Sequence, residues 1–135
     1  MSILAKTLVA LTLWTPVSAY ALGVGNLTLH SKLNQNLNAD ILLVMSNGDN
    51  AEDIKANLAS QTKFDTVGLP WVPFLSKINF STKVLPDGSL YITLTTKEVV
   101  KEPFLHFMLQ VSSQKSTLYR EFTVLLDPPA AYFKL

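Results

Sequence analysis

The 135 residues contain no cysteine. Disulfides, thiol nucleophiles and thiolate metal sites are excluded, so an exported domain of this composition must be held by its core alone. Histidine is scarce: His30 and His106 stand far apart, with neither an H-x-x-x-H nor an H-E-x-x-H spacing. A lone imidazole makes no metal site, and each of these reads as a packed or surface histidine. Charge is low as well. Eleven basic and ten acidic residues leave a net +1, which is no footprint for nucleic acid. The acidic residues Asp49, Glu52 and Asp53 crowd one spot, but capping of a helix start explains them. No nucleophile with a base, no paired carboxylates and no internal repeat emerge, so neither an enzyme nor a cofactor is expected.

What the chain does have is apolar residues, 48% of the total, enough to bury a core in one domain. The first of them form a targeting segment. Lys6 supplies a positive start, Thr7 to Trp14 a short apolar run, Pro16 a helix break, and Ala19-Tyr20-Ala21 a small-x-small cleavage site. The expected cut falls between Ala21 and Leu22, which leaves no stable membrane anchor. The competing reading is a retained anchor, since the run from Thr7 to Val24 is nearly long enough; a spanning helix wants about 20 apolar residues without a proline in the middle. The domain organisation is then 1–21 signal peptide, 22–129 β domain and 130–135 tail.

Along the mature chain, Asn26 to Ser31 alternates as a first strand, and Asp40 to Met45 is a continuous apolar run, expected as a strand buried on both faces. Asn50 or Asp49 caps an expected helix with Ile54 and Leu58 on its buried side. Pro70-Trp71-Val72-Pro73-Phe74 stays extended, as a loop whose Trp71 and Phe74 either lid the core or anchor a partner. Ile78, Phe80, Thr82 and Val84 alternate as a half-buried strand. Pro86-Asp87-Gly88 turns the chain, and Leu90, Ile92 and Leu94 return. Lys97 to Glu102 reads as a solvated connection.

Two further apolar runs, Phe104 to Val111 and Leu118 to Leu126, flank the polar turn Ser112 to Ser116 and form a hairpin that Pro128-Pro129 terminates. Leu105, Phe107, Leu109, Val111, Leu118, Phe122 and Val124 share its core face, where Arg120 intrudes; Arg120 and Glu102 are expected to pair. The opposite face carries Phe104, His106, Met108, Tyr119, Glu121 and Leu125, more apolar than a free surface needs. Other elements or a partner must cover it. Six or so strands and one short helix make a mainly β chain, an antiparallel β-sandwich, and the lack of cysteine does not exclude an immunoglobulin-like topology.

The wording E-P-F-L-x-F, then R-E-F-T-V-L-L-D-P-P, together with the opening L-G-V-G-N-L-T-L-H-S-K-L-N, resembles the N-terminal periplasmic domain of the FimV family. Those bacterial proteins are tied to type IV pili, twitching motility and the cell pole. The resemblance spans Leu22 to Pro129. It departs at Ser112–Ser116, where the family tends to have a Trp-x-x-Gly step. Full-length relatives continue into a proline-rich linker, a peptidoglycan-binding LysM module, a transmembrane helix and a cytoplasmic region, none of which is within these 135 residues. The resemblance therefore implies a periplasmic interaction or scaffolding module for a pilus or envelope assembly protein. Trp71, Phe74, Met108, Tyr119 and Glu121 are its candidate contact residues. The alternative is a free-standing peptidoglycan or carbohydrate binder in which Trp71 and Tyr91 stack on sugar.

Overall fold

The computed structural model describes residues 22–46 and 48–128. The expected signal segment with Ala21 and the tail 130–135 lie outside them. Among the described residues seven strands form two antiparallel sheets. The first has the order β1 (Gly23–Leu29), β2 (Asn36–Val44), β5 (Leu90–Val99), β4 (Asn79–Val84). The second has the order β3 (Lys55–Leu58), β6 (Phe104–Ser112), β7 (Thr117–Leu125). The described chain is thus the expected β-sandwich with one α-helix, α1 (Gln61–Val67).

Alternation fixes which side of each strand is buried. Ala39, Ile41 and Leu43 of β2 and Leu90, Ile92 and Leu94 of β5 face Leu105, Phe107, Leu109 and Val111 of β6 across the core. Phe107 stacks on Phe122 at 5.7 Å between ring centroids and meets Phe80 edge-on at 6.3 Å. The hairpin register pairs Phe107 with Phe122 and Leu105 with Val124, as the sequence pattern requires. Its turn closes through Ser113 N–H to the Ser116 carbonyl at 2.8 Å, and Ser113 Oγ accepts from the amides of Lys115 and Ser116.

Several local expectations fail for physical reasons. β2 is not buried on both faces: Leu42 and Val44 point outward and are exposed, because no layer covers that side of the sheet. The helix is not at Glu52–Leu58. Asn50 caps only a single 3-10 turn, Ala51–Asp53, which Ile54 ends, and Leu58, which its spacing from Ile54 would place on a helix, lies in β3, which pairs with Leu109–Ser112. The helix starts one segment later, where Ser60 Oγ accepts from Lys63 N–H, and ends at Gly68, whose φ of 72° is left-handed. In β4 only Phe80 is half-buried; Thr82 and Val84 are exposed although they pair with the buried Ile92 and Leu90, since β4 is the edge strand of its sheet. Lys97–Val99 continues β5 and is not a loop. Arg120 bonds the Val24 and Gly25 carbonyls and Asn26 Oδ1, and these, not Glu102, are its partners.

Candidate functional site: an apolar groove beside β6

The chain leaves the sheet early on one side of β6. β3 ends at Leu58, Ala59 N–H makes one last bond to the Met108 carbonyl at 2.9 Å, and Ser60 turns the backbone into α1. After Gly68, Leu69 is buried and donates to the Phe64 carbonyl at 2.9 Å. Pro70 to Val72 then runs extended into a 3-10 turn, Pro73–Lys77, which the fully buried Leu75 pins to the core. Between this segment and the chain from Glu98 to His106 lies a groove of about 580 Å³. Its lining is mostly apolar: Pro70, Val72, Pro73, Phe74, Val99 and Phe104. That volume is in the range of about 300–1,000 Å³ usual for ligand sites.

Phe104 is the most conspicuous group in it, 54% exposed. Its cross-strand partner Leu125 is 71% exposed, and Val72 and Val99 are exposed beside the groove. The charged groups that line it are exposed. Glu98 pairs with Lys77 at 2.6 Å, and Lys101 and Glu102 follow. Contiguous apolar exposure with a polar rim is the ordinary mark of a contact surface.

The sequence-derived candidates scatter around this groove. Phe74 lines it, half-buried. Trp71 does not; its ring meets the fully buried Phe64 edge-on at 5.0 Å and covers the helix and core. Met108 is only 6% exposed, so it belongs to the packed interior and offers no surface. The outer hairpin face is covered in part: Lys63 of α1 sits over the exposed Tyr119, its Nζ 4.3 Å from the ring centroid. Glu121 is exposed, and its carboxylate meets the His106 ring at Nε2. Trp71 and Tyr91 do not share a surface. Tyr91 lines a shallow polar depression of about 470 Å³ on the four-stranded sheet, with His30, Asp40 and Lys83. Asp40 there accepts from Thr93 Oγ1 at 2.9 Å and lies 2.8 Å from His30 Nε2.

Sequence reasoning placed Phe104 and Leu125 on the outer hairpin face and Val72 in the Trp71 loop without singling them out as contacts, and it missed Val99, which it put in a solvated connection. The available signal was the pair of prolines around Trp71-Val72 facing the apolar start of the last hairpin. No group of three or more His, Asp and Glu side chains among the described residues is placed to hold a metal. The carboxyls held below the ordinary aspartate range are turn residues: Asp49 by the Ser46 hydroxyl, and Asp87 by the Ser89 amide. No described helix is long and apolar enough to cross a membrane.

The FimV N-terminal domain Ig-like domain family matches residues 22–129. Two curated relatives, each named "Motility hub protein FimV", come from Pseudomonas aeruginosa strains PAO1 and UCBPP-PA14. Each is 36% identical over 126 residues, covering 93% of this chain. The chain spans only 14% of the length of these relatives. No solved structure matches it. The family match begins at Leu22, the first described residue, and runs past the end of β7; the chain belongs to the FimV N-terminal domain family.

Proposed function

We propose that this domain is a non-catalytic interaction module of the periplasm that docks a protein of the pilus or motility machinery in the groove beside β6. The observation that carries the reading is Phe104, more than half exposed in a groove it lines with the exposed Val72 and Val99. Isolated exposed apolar residues need no explanation, but a groove lined by them does. The relatives' name, a motility hub, supports a role in binding other proteins. Export fits the same reading: Lys6, the apolar run and Ala19-Tyr20-Ala21 direct cleavage before Leu22.

Site-specific photo-crosslinking in cells tests the proposal. A crosslinker at Phe104 or Val72 should capture a defined envelope protein. The same group at Asp87, at the far end of β5 from Val99, should not. Capture at both positions, or at neither, would refute the groove as the docking surface. Sedimentation with purified sacculi in place of protein capture would favour the peptidoglycan alternative. Mass spectrometry of the envelope fraction checks export, and an intact Met1 would show a retained anchor.

A further inference from the structure

We infer that the groove accepts its partner as an added β-strand: an extended peptide segment whose backbone bonds to Phe104 and His106 of β6, and whose apolar side chain seats between Val72, Phe74 and Phe104. This deepens the docking reading above and rests on it. The inference comes from where the backbone groups of β6 point. In an antiparallel strand the N–H and C=O of one residue share a side, and successive residues alternate sides. The Pro103 carbonyl accepts from Leu126 N–H at 2.8 Å, on the β7 side. The Met108 carbonyl accepts from Ala59 N–H at 2.9 Å, on the β3 side. Both bonds give the same parity. Phe104 and His106 therefore present their N–H and C=O toward the β3 side.

On that side β3 pairs only with Leu109 to Ser112. Among the described residues no ladder runs along Phe104 to Phe107 except the one with β7. The line of β3, prolonged past Ala59, enters the groove. The segment that forms the outer wall makes no ladder with this edge, and Pro70 and Pro73, which have no N–H to give, interrupt any it could form. An open sheet edge lying in an apolar groove is the arrangement that strand addition uses: main-chain bonds give affinity, and pockets for alternate side chains give selectivity. The occupant is thus an extended, uncharged stretch with apolar residues at every second position. A helix, which has no free backbone groups to offer, does not suit it.

Amide hydrogen exchange on the purified chain tests this in two steps. In the free protein the Phe104 and His106 amides should exchange fast, while those of Leu105 and Phe107 are protected by β7. Slow exchange at His106 in the free protein would mean the edge is already closed and would overturn the inference. The second step adds a synthetic peptide of alternating valine and threonine at millimolar concentration. Protection of the His106 amide should rise by about tenfold or more as a local opening is closed, and the same peptide N-methylated on alternate residues should give none. Equal effects of the two peptides, or no protection by either, would overturn strand addition. Crosslinks from the groove to an envelope protein can succeed while this exchange test fails, or the reverse, so the docking proposal and the mode of docking stand or fall separately.

Discussion

Arg120 Nη1 lies 2.6 Å from the carbonyl oxygen of Gly25. The bond joins the edge of one sheet to the irregular part of β1 in the other, where the register shifts between Val24 and Leu27. The same guanidinium bonds the Val24 carbonyl, reaches Asn26 Oδ1 at 3.2 Å, and lies 5.0 Å from the Phe122 ring centroid. A charge on the core face of a strand is tolerable because it donates to these oxygen acceptors on the edge strand β1.

Arg120→Met should therefore destabilise the domain by about 2–3 kcal/mol, the value of hydrogen bonds made by a charged group, despite keeping the aliphatic bulk. Chemical denaturation of the variant measures this. An unchanged midpoint would mean that water serves the β1 carbonyls equally well. Gly25→Ala should act on the same junction by a different route. An added Cβ would sit 2.9 Å from the Leu42 carbonyl oxygen, a backbone atom that cannot move aside, and overpacking of that kind costs about 1–3 kcal/mol.

Phe107→Ala should cost about 3–5 kcal/mol, since it loses burial and leaves a cavity. Phe107 is fully buried and contacts both Phe80 and Phe122, so neighbours from both sheets would have to collapse to fill the gap. A denaturation midpoint close to that of the parent protein would contradict this packing.

This core was legible in the sequence because alternation is a direct consequence of strand geometry. Leu90, Ile92 and Leu94 and the two runs of the last hairpin could face only one way once paired. The helix was harder. Ile54 and Leu58 are four apart, a spacing that suits a helix as well as a strand preceded by a turn. The decisive marks were its two ends, Ser60 and Gly68, rather than its apolar residues. The exposure of Leu42 and Val44 depends on whether a further layer covers the outer face of the sheet, and that of Val84 on its strand lying at the sheet edge; no local pattern encodes either. The groove was illegible for the same kind of reason: it exists because β3 stops after four residues, and Pro70–Phe74 returns to a place set by the tertiary fold.

Acid should loosen two turns before it unfolds the domain. The Ser89 amide donates to Asp87 Oδ1 at 2.9 Å and holds that carboxyl below the ordinary aspartate range; Ser46 does the same for Asp49. A group whose folded pKa is depressed contributes stability above its unfolded pKa of about 4, and loses it as pH falls through the folded value. Asp87→Asn keeps the shape and removes the titration. Its melting temperature should fall less than that of the parent protein between about pH 5 and pH 2. Parallel pH profiles would show that the turn contributes nothing to acid sensitivity.

Trp71 and Phe104 should separate stability from binding. Trp71 packs its ring edge against the buried Phe64, so Trp71→Ala removes cover from the helix and core. Half-buried, it should cost about 2 kcal/mol, below the 3–5 typical of fully buried aromatics. Phe104 is mostly exposed, and Phe104→Asp should change stability by no more than about 0.5 kcal/mol, the usual range for surface positions. Binding should follow the opposite order. A carboxylate at position 104 would put an unpaired charge into the apolar groove and should weaken partner capture by about 30-fold or more, equivalent to about 2 kcal/mol for a hot-spot truncation. Trp71→Ala should retain capture at temperatures where the variant remains folded. Thermal melting and capture of the crosslinked envelope partner, measured on both variants, decide the matter. If Trp71→Ala loses capture without losing stability, the tryptophan is itself a contact, and the docking surface extends from the groove onto the helix side of the domain.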